Sequence, residues 1–478
     1  MKARGFLTLL ALLSLGGHSF AGGPLAVGSK TKGVEGQPFV WAAGAMPIHY
    51  RVDSGPMSVN PSGTVVIPNS QGLVRVQNMV NTWAGVPTAQ ISFVNDGALT
   101  VPAGGHVSSL NDFNAVVASC NSGQQTPIVF DGNGSIFSAL GFDQNVIGFA
   151  APCNFSQAGN ILNAYAMLNG QMQDGVSSST NPEMPAAAFD EAIVHEFGHF
   201  LGLDHSQINL QTFTSFNFTN CPADGLAGLP VMFPVSFCQA RVTAGLPALA
   251  PDDVAWISKL YPASTYATSY GTISGYILFS DGLSHMQGVN VIARRVDDPN
   301  TPQDESQAIA FSVVSGYLFT GNPGQSITAK YLACSPASAC PPNGYRDDNT
   351  GGSSFGSRDA TQIGYYEIPV TPGTYTVQVE SIYSAFEAGS SVGPLDPPIP
   401  MAGPAEFWHQ NESATDDTTK KDPITVNAGQ TVTATIIVNN TPPRYDQFED
   451  GISLNVFGHD PSAIVPRRNS SLRKEPGL

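Results

Sequence analysis

Residues 192–206 have the sequence AIVHEFGHFLGLDHS and hold three of the nine histidines in a chain of 478 residues. On a helix, His195 and His199 lie four residues apart and project from one face, so both imidazoles can reach one ion. Gly202 can then adopt a left-handed conformation that ends the helix and turns the chain back. His205 would thereby become a third ligand. The stretch predicts a helix, a glycine exit and a metal site of three histidines.

Glu196 adds the chemistry that such a site needs. Three protein ligands leave the fourth position of tetrahedral zinc open for water, which is typical of catalytic sites. Zinc lowers the pKa of its water to about 7, and a neighbouring carboxylate can take that proton and pass it to a departing amine. A bare HExxH pattern occurs by chance, but its combination with Gly202 and His205 favours the metal site. The residues predict one catalytic Zn²⁺ with Glu196 as the general base.

The segment HEFGHFLGLDHS resembles the extended HExxHxxGxxH motif of the metzincin metallopeptidases, and the serine after the third histidine resembles their matrixin branch. Val231-Met232-Phe233-Pro234 is similar to the Met-turn of that family, which implies that the Met232 side chain forms an apolar floor beneath the imidazoles. The resemblance covers about residues 40–262. It implies a twisted, mostly parallel sheet with three helices and the hydrolysis of internal peptide bonds.

Two further segments carry the same resemblance. Residues 251–254, with Leu260-Tyr261, are similar to the closing helix of matrixin domains, and the carboxylates of Asp252 and Asp253 can cap that helix. Residues 146–152 resemble the edge strand that binds extended substrates antiparallel. This resemblance implies that Gly148, Phe149 and Ala150 contact the substrate. The segment between His205 and Met232 is longer than is usual in matrixins, so a cleavage preference cannot be carried over. No cysteine lies between residues 22 and 119, so the thiolate of the family's propeptide is absent.

The N-terminus and the charge indicate where the protein works. Lys2 and Arg4 precede an apolar run from Phe6 to Leu15, and Ser19-Phe20-Ala21 fits a signal-peptide cleavage site. The apolar run is too short for a permanent membrane anchor. The formal net charge of −17 argues against nucleic acid as a partner. We expect a secreted protein, cleaved after Ala21, that acts on proteins or peptides as a monomer without stable membrane insertion.

The six cysteines have no CxxC zinc spacing, so disulfides are the expected state in an oxidising compartment. Six cysteines allow 15 connectivities. The simplest hypothesis pairs neighbours in sequence, as Cys120–Cys153, Cys221–Cys238 and Cys334–Cys340.

The chain predicts an α+β protein of two folded units. The sequence divides into a signal peptide (1–21), an N-terminal segment (22–39), a peptidase-like unit (40–262), a linker (263–270), a β-sandwich (271–441) with an inserted loop at about 322–362, and a disordered tail (442–478). In the β unit, Gly271 to Gly275, Gly288 to Val291 and Tyr366 to Tyr375 resemble the carboxypeptidase regulatory-like, or transthyretin-like, sandwich. Such domains are usually accessory, and the sequence assigns this one no catalytic residue.

Two alternatives stay open at this point. Residues 130–135, with Asp131 and Asn133, can offer oxygens to Ca²⁺, although a plain turn fits their glycine and asparagine content better. A different function class is an adhesion or carbohydrate-binding protein whose β unit acts and whose peptidase unit is inert. The intact set of three histidines and Glu196 argues against that class.

Overall fold

We analysed a computed structural model of the chain. It describes residues 22–28, 33–143, 145–177, 183–209, 221–236, 238–283, 285–286, 288–318, 359–380 and 405–439, with two short strand segments beyond them. The predicted signal peptide, the Cys334–Cys340 pair, and most of the inserted loop and of the tail lie outside these residues. Within the tail, Ile452–Ser453 pairs antiparallel with Val465–Pro466.

The first unit is built on a five-stranded sheet. The strands of this unit are β1 (Ile48–Val52), β2 (Ser58–Val59), β3 (Val65–Ile67), β4 (Phe93–Ala98), β5 (Pro127–Asp131), β6 (Gly148–Phe155) and β7 (Ile161–Asn169). The order in the sheet is β4-β1-β5-β7-β6, while β2 and β3 form a separate hairpin. All pairs in the sheet are parallel except β6 with β7. The sheet is therefore mostly parallel, as expected, and β6 is its antiparallel edge.

Helices cover this sheet, and one of them carries His195 and His199. They are α1 (Asn69–Ala84), α2 (Leu110–Asn121), α3 (Ser135–Leu140), α4 (Ala186–Phe200), α5 (Ala223–Ala227) and α6 (Pro251–Leu260). Buried apolar side chains of α1, α4 and α6 share one core with the sheet. The helices expected at the histidine motif (α4) and at residues 251–261 (α6) are present. The count of three is wrong, because α2 is a fourth helix of ten or more residues in the described part of the unit.

Helix α2 was missed although its sequence carries the usual signals. The Ser109 hydroxyl accepts a hydrogen bond from the Asp112 N–H, as in a helix N-cap. Phe113, Val116, Val117 and Cys120 follow at helical spacing and are buried in a second apolar cluster behind the sheet. The Cys120–Cys153 disulfide joins this helix to β6.

The second unit consists of two facing sheets after the short helix α7 (Tyr266–Ser269), which lies within the predicted linker. Its elements are β8 (Gly271–Leu278), β9 (Asn290–Arg295), α8 (Glu305–Ala308), β10 (Ala310–Val314), β11 (Tyr365–Val370), β12 (Gly373–Glu380), β13 (Glu406–Phe407), β14 (Ile424–Val426), β15 (Thr431–Thr433) and β16 (Ile436–Ile437). One sheet has the order β10-β9-β12-β13 with β14 on β12, and the other has β11-β8-β15 with β16 on β8. Most pairs are antiparallel, which fits the expected all-β unit. Strands β10, β13 and β14 were not predicted.

The two units meet through α6 and β10. The Trp256 indole N–H donates to the Ser312 carbonyl at 2.7 Å, and the Ser312 N–H donates to the Asp252 carboxylate at 2.9 Å. The prediction that Asp252 caps its own helix is therefore wrong, because this carboxylate binds the second unit. Asp253 does cap α6, since it accepts the Ala250 N–H at 2.8 Å. No helix in the described part of the chain is long and apolar enough to cross a membrane.

Candidate metal centre

Helix α4 carries the first two histidines on one face, and its end places the third. The helix is fixed from outside by the Trp83 indole N–H, which donates to the Val194 carbonyl at 2.9 Å. Gly202 has a φ of 84°, so the predicted left-handed exit is present. A Cβ at Gly202 would lie 2.9 Å from the Phe39 carbonyl oxygen, so the close approach also requires glycine. The chain then returns His205 to the same face.

The three imidazoles converge on one point. The Nε2 atoms of His195, His199 and His205 are 3.1 Å apart in each of the three pairs. Tetrahedral zinc with Zn–N distances of about 2.0–2.1 Å would hold such nitrogens about 3.3–3.4 Å apart. The donor set therefore fits a zinc ion with at least one open position. Among the described residues this is the group of histidine, cysteine and carboxylate side chains that can hold a metal ion.

Backbone carbonyls orient the rings. His195 Nδ1 lies 2.8 Å from the Val231 carbonyl oxygen, and His199 Nδ1 lies 2.9 Å from the Leu203 carbonyl oxygen. A carbonyl can only accept, so each Nδ1 carries the proton and each Nε2 presents its lone pair. Both rings therefore have the tautomer in which Nε2 is free to bind a metal ion.

Burial keeps these rings neutral. It lowers the pKa of His195 to about 4 and, together with the proximity of His195, the pKa of His199 to about 3. Burial and the two other imidazoles lower the pKa of His205 well below its ordinary value. Neutral imidazoles are the form that binds metal, so no proton has to leave near pH 7.

Glu196 lies between the helix and the edge strand. Glu196 is only 7% exposed, and its carboxylate accepts a hydrogen bond from the Ala150 N–H of β6. Burial raises its pKa to about 8, partly offset by that hydrogen bond. A Cβ at Gly148 would lie 2.8 Å from the Glu196 Cγ atom. Gly148 thus provides the space that Glu196 occupies.

Phe149 differs from its two neighbours on β6. Successive side chains of a strand point to opposite faces. The Phe149 ring packs with Phe113, Phe137 and Tyr165 in the cluster behind the sheet. The Phe149 side chain therefore lies on the opposite face of the strand from Gly148 and Ala150, because it packs against the core cluster.

Met232 packs against the helix between the two histidines. It is 2% exposed, and a Cβ at Gly198 would lie 2.1 Å from its sulfur atom. The Met232 carbonyl accepts the Ser206 N–H at 2.9 Å, next to the third histidine. The methionine turn is therefore in contact with both sides of the metal site.

Asp253 holds that turn, a role the sequence did not predict. Its carboxylate accepts the Val231 N–H at 2.8 Å and the Met232 N–H at 3.1 Å. Burial raises its pKa, while these backbone bonds and nearby Arg241 lower it. The result is a continuous link from α6 through Val231 to His195.

Arg241 is a second positioning residue that was missed. Its guanidinium is 2% exposed and donates to the carbonyls of Leu226, Ala227 and Leu229. Leu226 and Ala227 are the last residues of α5 and Leu229 follows it, all within the segment closed by the Cys221–Cys238 disulfide. A lone arginine in an apolar stretch was the available signal, because a buried guanidinium must satisfy its donors with nearby carbonyls.

The turn at residues 130–135 is explained by helix capping. The Asp131 carboxylate accepts the N–H groups of Ile136 and Phe137 at 2.7 and 2.9 Å, at the start of α3. This matches the plain-turn alternative for the segment.

No protein-family model, curated protein or solved structure matches the chain. The site thus consists of three converging imidazoles that can hold one metal ion, with the buried carboxyl group of Glu196 next to them.

Proposed function

We propose that the protein is a zinc-dependent endopeptidase whose metal is bound by His195, His199 and His205. The convergence of three Nε2 atoms 3.1 Å apart, beside Glu196, is the observation that carries this proposal. The resemblance of the same segment to the metzincin motif is a second support.

Each residue would have one task. Bound zinc would supply a water of lowered pKa and polarise the scissile carbonyl. The Glu196 carboxylate would take a proton from that water and deliver it to the leaving amine. Its position against the Ala150 N–H would keep it beside the metal and outside the ligand set.

The edge strand supports a peptide as the substrate. Strand β6 ends the sheet order, so its outer backbone groups have no strand partner among the described residues. An extended peptide can pair with such an edge through its own backbone. Because Glu196 accepts from β6, a peptide on this edge would pass next to the general base.

The test is casein cleavage by the mature protein, compared with Glu196→Gln under identical conditions. We expect cleavage to stop with a zinc chelator and to return with added zinc. Glu196→Gln should bind one zinc per chain as the wild type does and lose about 10²–10⁴-fold in rate, since it keeps the shape but not the base.

Metal content separates the possible results. Cleavage that survives in Glu196→Gln at full zinc content would exclude Glu196 as the base. A wild type that binds no zinc would exclude the proposal altogether.

A further inference from the structure

The loop that follows the third histidine is buried against the second unit. Ser206, Ile208 and Asn209 are each no more than 1% exposed. Ile208 packs with Ile292 of β9 and Ala310 of β10. The Ser206 hydroxyl lies 3.3 Å from the hydroxyl of Ser312. The β unit, which was expected to be accessory, therefore covers the residues that directly follow His205.

Asn209 has an unusual backbone conformation. Its φ is 61°, and it is the one non-glycine residue with a positive φ in the part of the chain that the structure describes. Asparagine tolerates this left-handed region better than most residues, but the conformation still has to be held by contacts. The Asn209 amide donates to the carbonyls of Gly225 and Gln307, both at 2.9 Å. One side chain thus links the first unit to the second.

Arg294 completes this link. Its Nη1 donates to the Asn209 Oδ1 at 2.7 Å and to the Ser306 carbonyl at 3.2 Å. Arg294 is 5% exposed, and a buried guanidinium is costly unless its donors are bonded; Nη1 makes these two bonds, whereas Nη2 has no hydrogen-bond partner among the described residues. Since Asn209 Oδ1 accepts from Arg294, its Nδ2 is the atom left to donate to both carbonyls. The arginine therefore fixes the orientation of the amide.

We propose that Arg294 of the β unit is a positioning residue for the metal centre, acting through Asn209 on His205. Hydrogen bonds hold the loop near both of its ends: the Ser206 N–H bonds to Met232, and the Asn209 side chain bonds to Gly225, Gln307 and Arg294. Without Arg294 the Asn209 amide would lose its fixed orientation, and the turn could leave its left-handed conformation. His205 is the ligand outside helix α4, so it would be displaced while His195 and His199 stay in place.

This inference rests on the metal centre of the proposed function, and it does not require peptidase activity. The first test is titration of the metal-free, full-length mature protein with Co²⁺, followed by its d–d absorption. Arg294→Met should weaken Co²⁺ binding about 10–100-fold, as is usual for residues that orient ligands. The spectrum should also change, because one imidazole is lost from the ion.

Arg295→Gln is the matched control on the same strand. Arg295 pairs with Glu305 at 3.3 Å, and no hydrogen bond or ion pair joins it to the described residues of the 205–209 loop. We expect its Co²⁺ affinity and spectrum to equal those of the wild type. Arg294→Lys keeps the charge and one donor, so it should recover part of the affinity.

A second pair of variants guards against a folding defect and tests the route through His205. Asn209→Gly accepts the left-handed backbone without strain but lacks the amide that holds it there, so it should fold and weaken Co²⁺ binding in the same range. In a His205→Ala background, Arg294→Met should cause no further loss, because the ligand through which it acts is gone.

The outcomes are distinct. Wild-type affinity and spectrum in both Arg294→Met and Asn209→Gly would overturn this inference and leave the proposed function intact. A full additional loss in the His205→Ala background would also overturn it. A wild type that binds Co²⁺ but cleaves no protein would contradict only the peptidase function, whereas a wild type that binds no Co²⁺ would contradict both.

Discussion

At the scale of single residues, two glycines set the space around the proposed general base and its metal ligands. Gly148 leaves room for the Glu196 side chain, and Gly198 leaves room for the Met232 sulfur. Neither glycine has a left-handed backbone, so both are needed for the missing side chain and not for conformational freedom.

Gly148→Ala should impair catalysis without removing the metal. The new methyl group would lie 2.8 Å from the Glu196 Cγ atom. It could not move far from Glu196, because the Met167 carbonyl oxygen would lie only 3.2 Å from it. Glu196 must then move, and a displacement of about 1 Å can cost about a hundredfold in rate. We expect that loss in kcat for casein or a peptide, with one zinc per chain retained.

Gly44→Ala is the control for this substitution. A Cβ at Gly44 meets no atom within 4 Å, so activity should be unchanged. Full activity in Gly148→Ala would show that the carboxylate position next to β6 is not required.

At the scale of elements, the position of helix α4, which carries two of the three candidate metal ligands, depends on the turn packed against it. Helix α4 supplies two ligands, Met232 packs on Gly198 between them, and Asp253 of α6 holds the backbone of the turn. Three elements distant in sequence therefore determine the angle at which the two imidazoles point.

Gly198→Ala tests whether packing or helix propensity dominates at this position. Alanine is the better helix former by about 1 kcal/mol. Its methyl group would, however, lie 2.1 Å from the Met232 sulfur, and overpacking of a core costs about 1–3 kcal/mol. We expect a lower free energy of unfolding in urea and weaker zinc binding. A variant more stable than the wild type would contradict the contact between Gly198 and Met232.

At the scale of the whole molecule, the two units behave as one packed structure around Ser312. Its N–H, carbonyl and hydroxyl groups contact Asp252, Trp256 and Ser206 respectively. The second unit thus covers both α6 and the loop that follows His205, and its removal would expose them together.

The Asp252 carboxyl should make stability depend on pH. Burial raises its pKa from 3.8 to about 8, aided by neighbouring Asp253 and opposed by hydrogen bonds from Ser312 and Ser206. Because the folded state keeps this proton while the unfolded state releases it, the contribution is present below about pH 4 and is lost as pH rises towards 8. The slope is at most about 1.4 kcal/mol per pH unit.

Asp252→Asn should remove this dependence, since the amide oxygen can still accept the Ser312 N–H and carries no charge. We expect the stability of the wild type relative to the variant to fall between pH 4 and 8, measured by urea unfolding. Asp298→Asn is a control of opposite sign, because hydrogen bonds from Asn300 lower the pKa of exposed Asp298. Parallel curves for wild type and Asp252→Asn would contradict a buried, protonated Asp252.

The sequence by itself determined the parts of the site that lie within one helix and its exit. The spacing of His195 and His199, the left-handed Gly202 and the return of His205 follow from helical periodicity and the freedom of glycine, which act over a few residues. The start of α2 at Ser109 was equally local, and only its signals were overlooked.

Only the tertiary structure decided which distant groups hold this site. Asp253 reaches Met232 over 21 residues, Asp252 reaches Ser312 over 60, and Arg294 reaches Asn209 over 85. A carboxylate can accept from any N–H group and a guanidinium can donate to any carbonyl, so the spacing of residues in the sequence does not predict the partner. Those partners are chosen when β9, β10 and α6 pack together, because burial then requires each polar group to find one.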